Sequence, residues 1–148
     1  MRSLLIPDHR DALLVRFRTL TPESPARWGR MNAPRMLAHL TDQMRHTLGD
    51  AQAAPVAGPL RWPIVRQAAL YWLPWPRGRV QGPPEAFLSE PTSWTADLTT
   101  FELLVERFVA DEERSEWPEH AFFGPMSRRD WGYFCHRHFD HHLRQFGG

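Results

Sequence analysis

The chain contains no lysine, and all 18 of its basic residues are arginine. It therefore has no lysine amine for Schiff-base chemistry or for general-base catalysis. The net charge at neutral pH is +1, whereas nucleic-acid-binding proteins usually carry a strong basic excess on one surface. We therefore expect neither lysine-dependent catalysis nor a nucleic-acid partner.

Cysteine is nearly absent as well, since Cys135 is the only one in 148 residues. An intramolecular disulfide is therefore impossible, which favours an intracellular protein. The first residues hold too short an apolar run for a signal peptide. No stretch approaches the roughly 20 apolar residues that a membrane span requires. We expect a soluble, cytoplasmic protein without a membrane partner.

Hydrophobic residues make up 42% of the chain, which is enough for one folded domain over residues 1–148. No segment shows the apolar–polar alternation of a strand. Asp8 and Asn32 are expected to cap the first two helices, and Ser127 with Asp130 forms a capping box. Apolar residues at helical spacing predict four principal helices, over 8–20, 32–48, 95–110 and 127–146.

These elements predict an all-α fold, a four-helix bundle with one long crossover between its second and third helices. The crossover, residues 50–92, contains 8 of the 14 prolines. A short helix over 63–73 is expected inside it, and the rest, including 74–78 and 82–84, is expected to be loop. Three tryptophans suggest that it packs down as a cover over the bundle: Trp62, Trp72 and Trp75.

The last helix carries histidine on its apolar face. His138, His142 and Gln145 fall among Trp131, Phe134, Cys135, Phe139 and Phe146, and the two histidines occupy adjacent turns of the helix. An unpaired buried polar group costs about 1–3 kcal/mol, so these rings need partners. A bound metal ion would satisfy both imidazoles at once.

A third histidine comes from the second helix. Its apolar arc is formed by Met36, Leu37, Leu40, Met44 and Leu48, and His39 and Gln43 lie at the edge of that arc. Helical bundles build metal sites from facing side chains. We therefore predict a divalent ion on His39, His138 and His142, with open positions for water or substrate. Neutral imidazole suits zinc, nickel, iron or copper, and the order of affinities alone does not choose among them. Our first expectation is zinc or nickel, with iron or manganese as alternatives.

The same pattern has a simpler interpretation, because a chain with 8 histidines can show a His-x-x-x-His pair by chance. Cys135 is then a small core residue rather than a ligand or reactive thiol. Asp97 is a solvated helix-start residue or a partner of a ligating histidine, a role also open to Gln145. Arg35 is solvated or binds a substrate carboxylate. The other histidines are expected at the surface or rim, or in a structural loop: His9, His46, His136, His141 and His120.

Two segments, 36–42 (MLAHLTD) and 138–145 (HFDHHLRQ), resemble the DinB-like superfamily of metal-binding four-helix bundles. The segment 119–131 is similar to one branch of it, in which a His-Pro-Phe-Phe-Gly-like loop precedes the last helix. Ala121 stands here in place of the proline. The resemblance covers residues 28–148.

The resemblance implies an up-down-down-up bundle, often dimeric, with the ion held by His39, His138 and His142. Characterised relatives include transferases and isomerases that use low-molecular-weight thiols. The implied function is a metal-dependent transferase-like enzyme or hydrolase that activates a thiol or water for a small-molecule substrate. The alternative is a non-catalytic binding or dimerisation module whose metal is structural or absent. A shared fold does not transfer the reaction.

Overall fold

The computed structural model describes residues 1–75 and 87–148, which contain five α-helices. They are α1 (Pro7–Arg18), α2 (Ala33–Leu48), α3 (Pro63–Tyr71), α4 (Trp94–Ala110) and α5 (Arg128–Gln145). One 3-10 turn, Pro59–Arg61, precedes α3. The described residues form no β-strand, so the all-α class is confirmed. None of their helices is long and apolar enough to cross a membrane.

The ends of α2 and α5 follow the local signals in the sequence. The Asn32 side chain accepts a hydrogen bond from the backbone N–H of Arg35 (2.8 Å), and Gly49 ends α2 with a φ of +84°. At α5 the capping box is complete, because the side chains of Ser127 and Asp130 each accept the other's backbone N–H. Both predicted starts are confirmed.

The start of α1 differs from the prediction. Pro7 begins the helix and Ile6 is the N-cap, without any side-chain cap. Asp8 therefore lies inside the first turn and does not cap, because the fixed φ of proline already suits the first helical position. The helix also ends earlier than predicted, at Arg18, where the hydroxyl of Thr19 donates to the carbonyl of Arg16 (2.7 Å).

The short crossover helix α3 ends at Tyr71, two residues earlier than predicted. The carbonyls of Ala69 and Leu70 accept hydrogen bonds from the Arg137 guanidinium of α5 (3.0 and 2.9 Å) instead of from a further helical turn. The loop predicted over 82–84, with most of 74–78, lies outside the described residues.

At the centre of the core, aromatic rings from three helices contact one another. Phe17 of α1, Phe101 of α4 and Phe139 of α5 lie with ring centroids 4.9 to 6.1 Å apart, and all three are fully buried. The α2 apolar arc packs on α4 and α5 from the other side. This packing buries one face of α2 against α5 and so places their polar residues side by side.

The capping box of α5 gives a direct test of the helix assignment. Ser127→Ala should lower the free energy of unfolding by about 1 kcal/mol, because it leaves the Asp130 N–H without its side-chain acceptor. The matched control is Ser93→Ala, since Ser93 is the N-cap of α4 but makes no side-chain cap bond. Urea unfolding measures both, and equal effects would contradict the assignment.

Candidate metal centre

The three predicted histidines lie together at the contact between α2 and α5. The Nε2 of His138 is 3.2 Å from the Nε2 of His39 and 3.1 Å from the Nε2 of His142. One ring nitrogen from each of the three lies within 4.8 Å of the others. His39 and His142 are buried and His138 is partly exposed. The spacing predicted from the helical pattern is therefore present in the fold.

The two separations of His138 from its neighbours suit a shared metal ion. Zinc–nitrogen bonds of about 2.0–2.1 Å at tetrahedral angles separate neighbouring ligand nitrogens by about 3.4 Å, close to the 3.1 and 3.2 Å found here. Hydrogen bonds alone serve the cluster poorly, because one Nε2–H of His138 cannot point well at two neighbours at once.

The protonation of His142 is fixed from outside the cluster. The Gln145 amide donates from Nε2 to the carbonyl of Trp28 (2.8 Å), so its Oε1 must face the Nδ1 of His142 (2.8 Å). A carbonyl-type oxygen only accepts, and Nδ1 therefore carries the proton. The lone pair of Nε2 consequently points into the cluster, as a metal ligand requires.

The rings of His138 and His142 are held in the neutral form that a metal needs. Burial, and next to it the charges of His142 and His39, hold the pKa of His138 well below its ordinary value. Burial, and next to it the charge of His39, lowers the pKa of His142 to about 3. The Nδ1 of His138 is buried and has no hydrogen-bond partner among the described residues.

One segment of the crossover, residues 87–90, covers His39 and is called the strap below. The ring of Phe87 stacks on the His39 imidazole at 4.7 Å, with an interplanar angle of 18°. The buried Asp42 carboxylate holds the strap, because it accepts hydrogen bonds from the backbone N–H (2.7 Å) and hydroxyl (2.5 Å) of Ser89. Neither Phe87 nor this clamp was predicted from the sequence.

Arg35 belongs to the same strap. Its guanidinium donates to the carbonyls of Ser89 (2.9 Å) and Phe87 (3.3 Å) and forms an ion pair with Glu90 (2.8 Å). It is therefore more than a solvated helix residue, and a role in binding a substrate carboxylate stays a prediction. The Arg35 guanidinium holds the crossover against α2 through these contacts.

The remaining candidates fall into three different settings. Asp97 accepts from the backbone N–H and hydroxyl of Thr92 (2.9 and 2.6 Å) at the start of α4, and both of its oxygens bond Thr92 rather than any histidine of the described residues. Cys135 is fully buried, and burial raises the pKa of its thiol to about 12. The core interpretation of Cys135 therefore holds. Gln43 is buried and lies one turn from His39, in the wall of a cavity.

This cavity has a volume of about 1850 Å³ and opens beside the three histidines. Trp75 lines it and packs against Phe134 and His138, at 5.5 and 6.0 Å. The prediction that three tryptophans form a cover is wrong for the other two, because Trp62 and Trp72 are 65% and 71% exposed. The crossover covers the site through Trp75 and Phe87 instead.

Three further histidines also line the cavity: His46, His120 and His141. His141 is a partly buried rim residue, as predicted, and meets Trp28 edge-on at 6.0 Å. His120 is a structural loop residue, as predicted. His46, expected at the surface, is partly buried and lines the cavity, seven positions after His39 on the same helix face.

His136 was expected at the surface or rim but is 4% exposed. The N-terminal segment covers this face of α5, where the backbone N–H of Leu4 donates to the carbonyl of Gly132 (3.1 Å). A Cβ on Gly132 would meet the Ser3 hydroxyl at 2.7 Å, so glycine permits this approach. His9, expected at the surface, is partly buried edge-on to His136 at 6.1 Å.

Comparison with known proteins gave no relative. No family model matches the chain, and neither the curated proteins nor the solved structures contain a match. The resemblance to the DinB-like superfamily therefore stays a prediction from the sequence motifs, and the function has to be argued from the geometry of the site.

The buried histidines predict how stability depends on pH. Burial is the main cause that lowers the pKa of His120 and His142 to about 3 and of His136 to about 4, below the roughly 6.5 of an unfolded chain. The unfolded chain therefore binds more protons below about pH 6.5. For the metal-free protein, the contribution of these histidines to the free energy of unfolding should be at its maximum above that pH. It should fall towards pH 4, by up to about 1.4 kcal/mol per pH unit for each histidine.

Urea unfolding at a series of pH values measures this slope. The His120→Asn variant is the control, because it removes one of these rings and should make the slope shallower by one histidine. A free energy of unfolding that stays constant or rises as the pH falls from 6.5 would contradict the buried, neutral state of these rings.

Proposed function

We propose that the protein is a metal-dependent enzyme with a divalent ion on His39, His138 and His142, which activates a thiol or a water molecule. The convergence of three Nε2 atoms, at 3.1 and 3.2 Å, carries this proposal. Three protein ligands leave coordination positions open, which is typical of a catalytic rather than a structural zinc site. Zinc and nickel are among the ions that imidazole ligands suit, and they are the ions we propose here.

The surroundings of the cluster support a reactive site. A divalent ion supplies acidity, since it lowers the pKa of a bound thiol or water towards neutrality. Gln145 keeps the His142 lone pair directed inwards, and Phe87 shields one face of His39 from water. The adjoining cavity gives a small molecule access to the open side.

If the nucleophile is a thiol, it comes from a separate molecule. Cys135 is the sole cysteine, and it is buried against the hydroxyl of Thr47 (3.5 Å) with a pKa raised to about 12. A thiol of that pKa yields almost no thiolate at neutral pH. The proposal therefore includes a low-molecular-weight thiol as co-substrate, in a transferase-like reaction.

The proposal also places the chain in the DinB-like superfamily and in the cytoplasm. In this interpretation α1, α2, α4 and α5 are the four bundle helices, and α3 belongs to the crossover. The motifs around His39 and His142 support the assignment, and so does the position of the ligands on the second and last bundle helices.

A second candidate is a binding or dimerisation module in which the metal is structural. Exposed apolar side chains favour it, because Trp62, Ile64 and Trp72 are 65%, 84% and 71% exposed at and around α3. Apolar groups that face water together are typical of protein interfaces. A structural ion would raise the melting temperature strongly by linkage, and its removal would unfold the chain.

An assay with a small thiol and an electrophile tests the enzyme proposal. Zinc- or nickel-loaded protein should accelerate thioether formation over the metal-free protein, and His142→Ala should lose at least about 90% of that rate because it removes one of three ligands. The matched control is His141→Ala, a cavity-rim histidine outside the cluster.

Unchanged turnover in His142→Ala would contradict the assigned role. Hydrolysis of activated esters by the same samples tests the water alternative. If neither reaction depends on the metal, while metal removal unfolds the chain, the module is the better account.

A further inference from the structure

One face of α2 lines the cavity over two helical turns. His39, Gln43 and His46 stand at positions i, i+4 and i+7, and all three contribute to the cavity wall. At a rise of about 1.5 Å per residue, His46 lies about 10 Å along the helix from His39. The cavity therefore has a polar end beyond the metal centre.

His120 lines the same cavity and lies close enough to His46 to feel its charge. Its Nδ1 accepts the backbone N–H groups of Phe122 (3.1 Å) and Phe123 (3.3 Å), so in the neutral ring Nε2 carries the proton. Burial, and next to it the charge of His46, lowers the pKa of His120 to about 3. His120 is thus a neutral hydrogen-bond donor at physiological pH.

Aromatic rings line the cavity between the two ends. Phe134 meets His120 at 4.5 Å and His138 at 5.4 Å, so one ring contacts both. Trp131 and Trp117 continue the apolar wall. The middle section of a ligand that spans both ends would therefore contact aromatic side chains rather than polar groups.

The size of the cavity also argues for an extended ligand. Its volume of about 1850 Å³ exceeds the roughly 300–1,000 Å³ of pockets that hold drug-sized molecules. A water molecule or a small thiol at the metal would leave most of it unused. Arg114 adds positive charge to the wall near the far end, where it donates to the carbonyl of Leu48 (2.7 Å).

We propose that the cavity binds an elongated organic molecule, with a metal-binding atom at His39, His138 and His142 and a carbonyl or carboxylate oxygen at His46 and His120, about 10 Å away. The placement of the metal-binding end rests on the proposed function. An acceptor suits the far end, because the Nε2 of His120 carries a proton there. An aromatic or aliphatic section connects the two ends.

Three hydroxamic acids test the ligand class on zinc-loaded protein. Their chains span about 10 Å and end in a carboxamide, a carboxylate or a methyl group, and isothermal titration measures their affinities. The carboxamide or the carboxylate should bind about five- to tenfold more tightly than the methyl probe, as expected for one or two added hydrogen bonds. The stronger of the two identifies the acceptor.

Two variants locate the effect. His120→Asn keeps an oxygen for the N–H groups of Phe122 and Phe123 but removes the N–H from the position of Nε2, because the asparagine side chain is shorter. His46→Leu removes the neighbouring ring. Each should reduce the advantage of the polar probe to less than about twofold while the methyl probe keeps its affinity. His141→Ala, on the rim, should leave the advantage unchanged.

A metal-independent measurement separates this inference from the metal centre. Benzamide added to the metal-free protein should shift the ring NMR signals of His46 and His120 and leave those of His138 and His142 in place. Two results would contradict the proposed binding end at His46 and His120 while leaving the metal centre in place. The first is zinc uptake without any preference for a polar tail, and the second is a preference that neither variant changes. A benzamide response without zinc uptake would instead overturn the metal proposal and retain the second end.

Discussion

The packing of α2 against α5 forces three imidazole rings into one small volume, between helix faces that are largely buried. Burial keeps the rings at His138 and His142 neutral, so repulsion between charges does not push them apart. Neutral rings still need hydrogen bonds or a cation, because their nitrogens lie away from water. A divalent ion would bind all three lone pairs together, and a substrate would reach that ion through the adjacent cavity.

Other parts of the chain are arranged around this cluster. Gln145 donates a hydrogen bond to the carbonyl of Trp28 and therefore turns its own oxygen towards His142. This contact selects the tautomer of the His142 ring. The crossover reaches the cluster as a strap, which Asp42 holds through Ser89 so that Phe87 lies on His39. These contacts order side chains that a bare helix pair would leave mobile, and such support is what distinguishes a built site from three adjacent polar residues.

The sequence was informative where a feature depends on one helix. Periodicity predicted the buried faces of α2 and α5, and the same wheels placed His39, His138 and His142 inwards; His46 could have been found in the same way, at i+7 from His39. Features made by distant segments were not predictable. The helical wheel of α5 cannot show that the N-terminal segment covers His136, and no local pattern pairs Asp42 with Ser89 across 47 positions.

The most direct test of the central claim is the metal content per chain, determined by elemental analysis on protein purified without a histidine tag. The wild-type protein should hold about one equivalent of zinc or nickel per chain, natively or after titration, because three imidazoles form one site. His138→Ala should hold almost none, whereas His136→Ala, two positions away on the covered face of α5, should retain the metal. A wild-type protein that takes up no metal, or a His138→Ala variant that binds it equally well, would contradict the account.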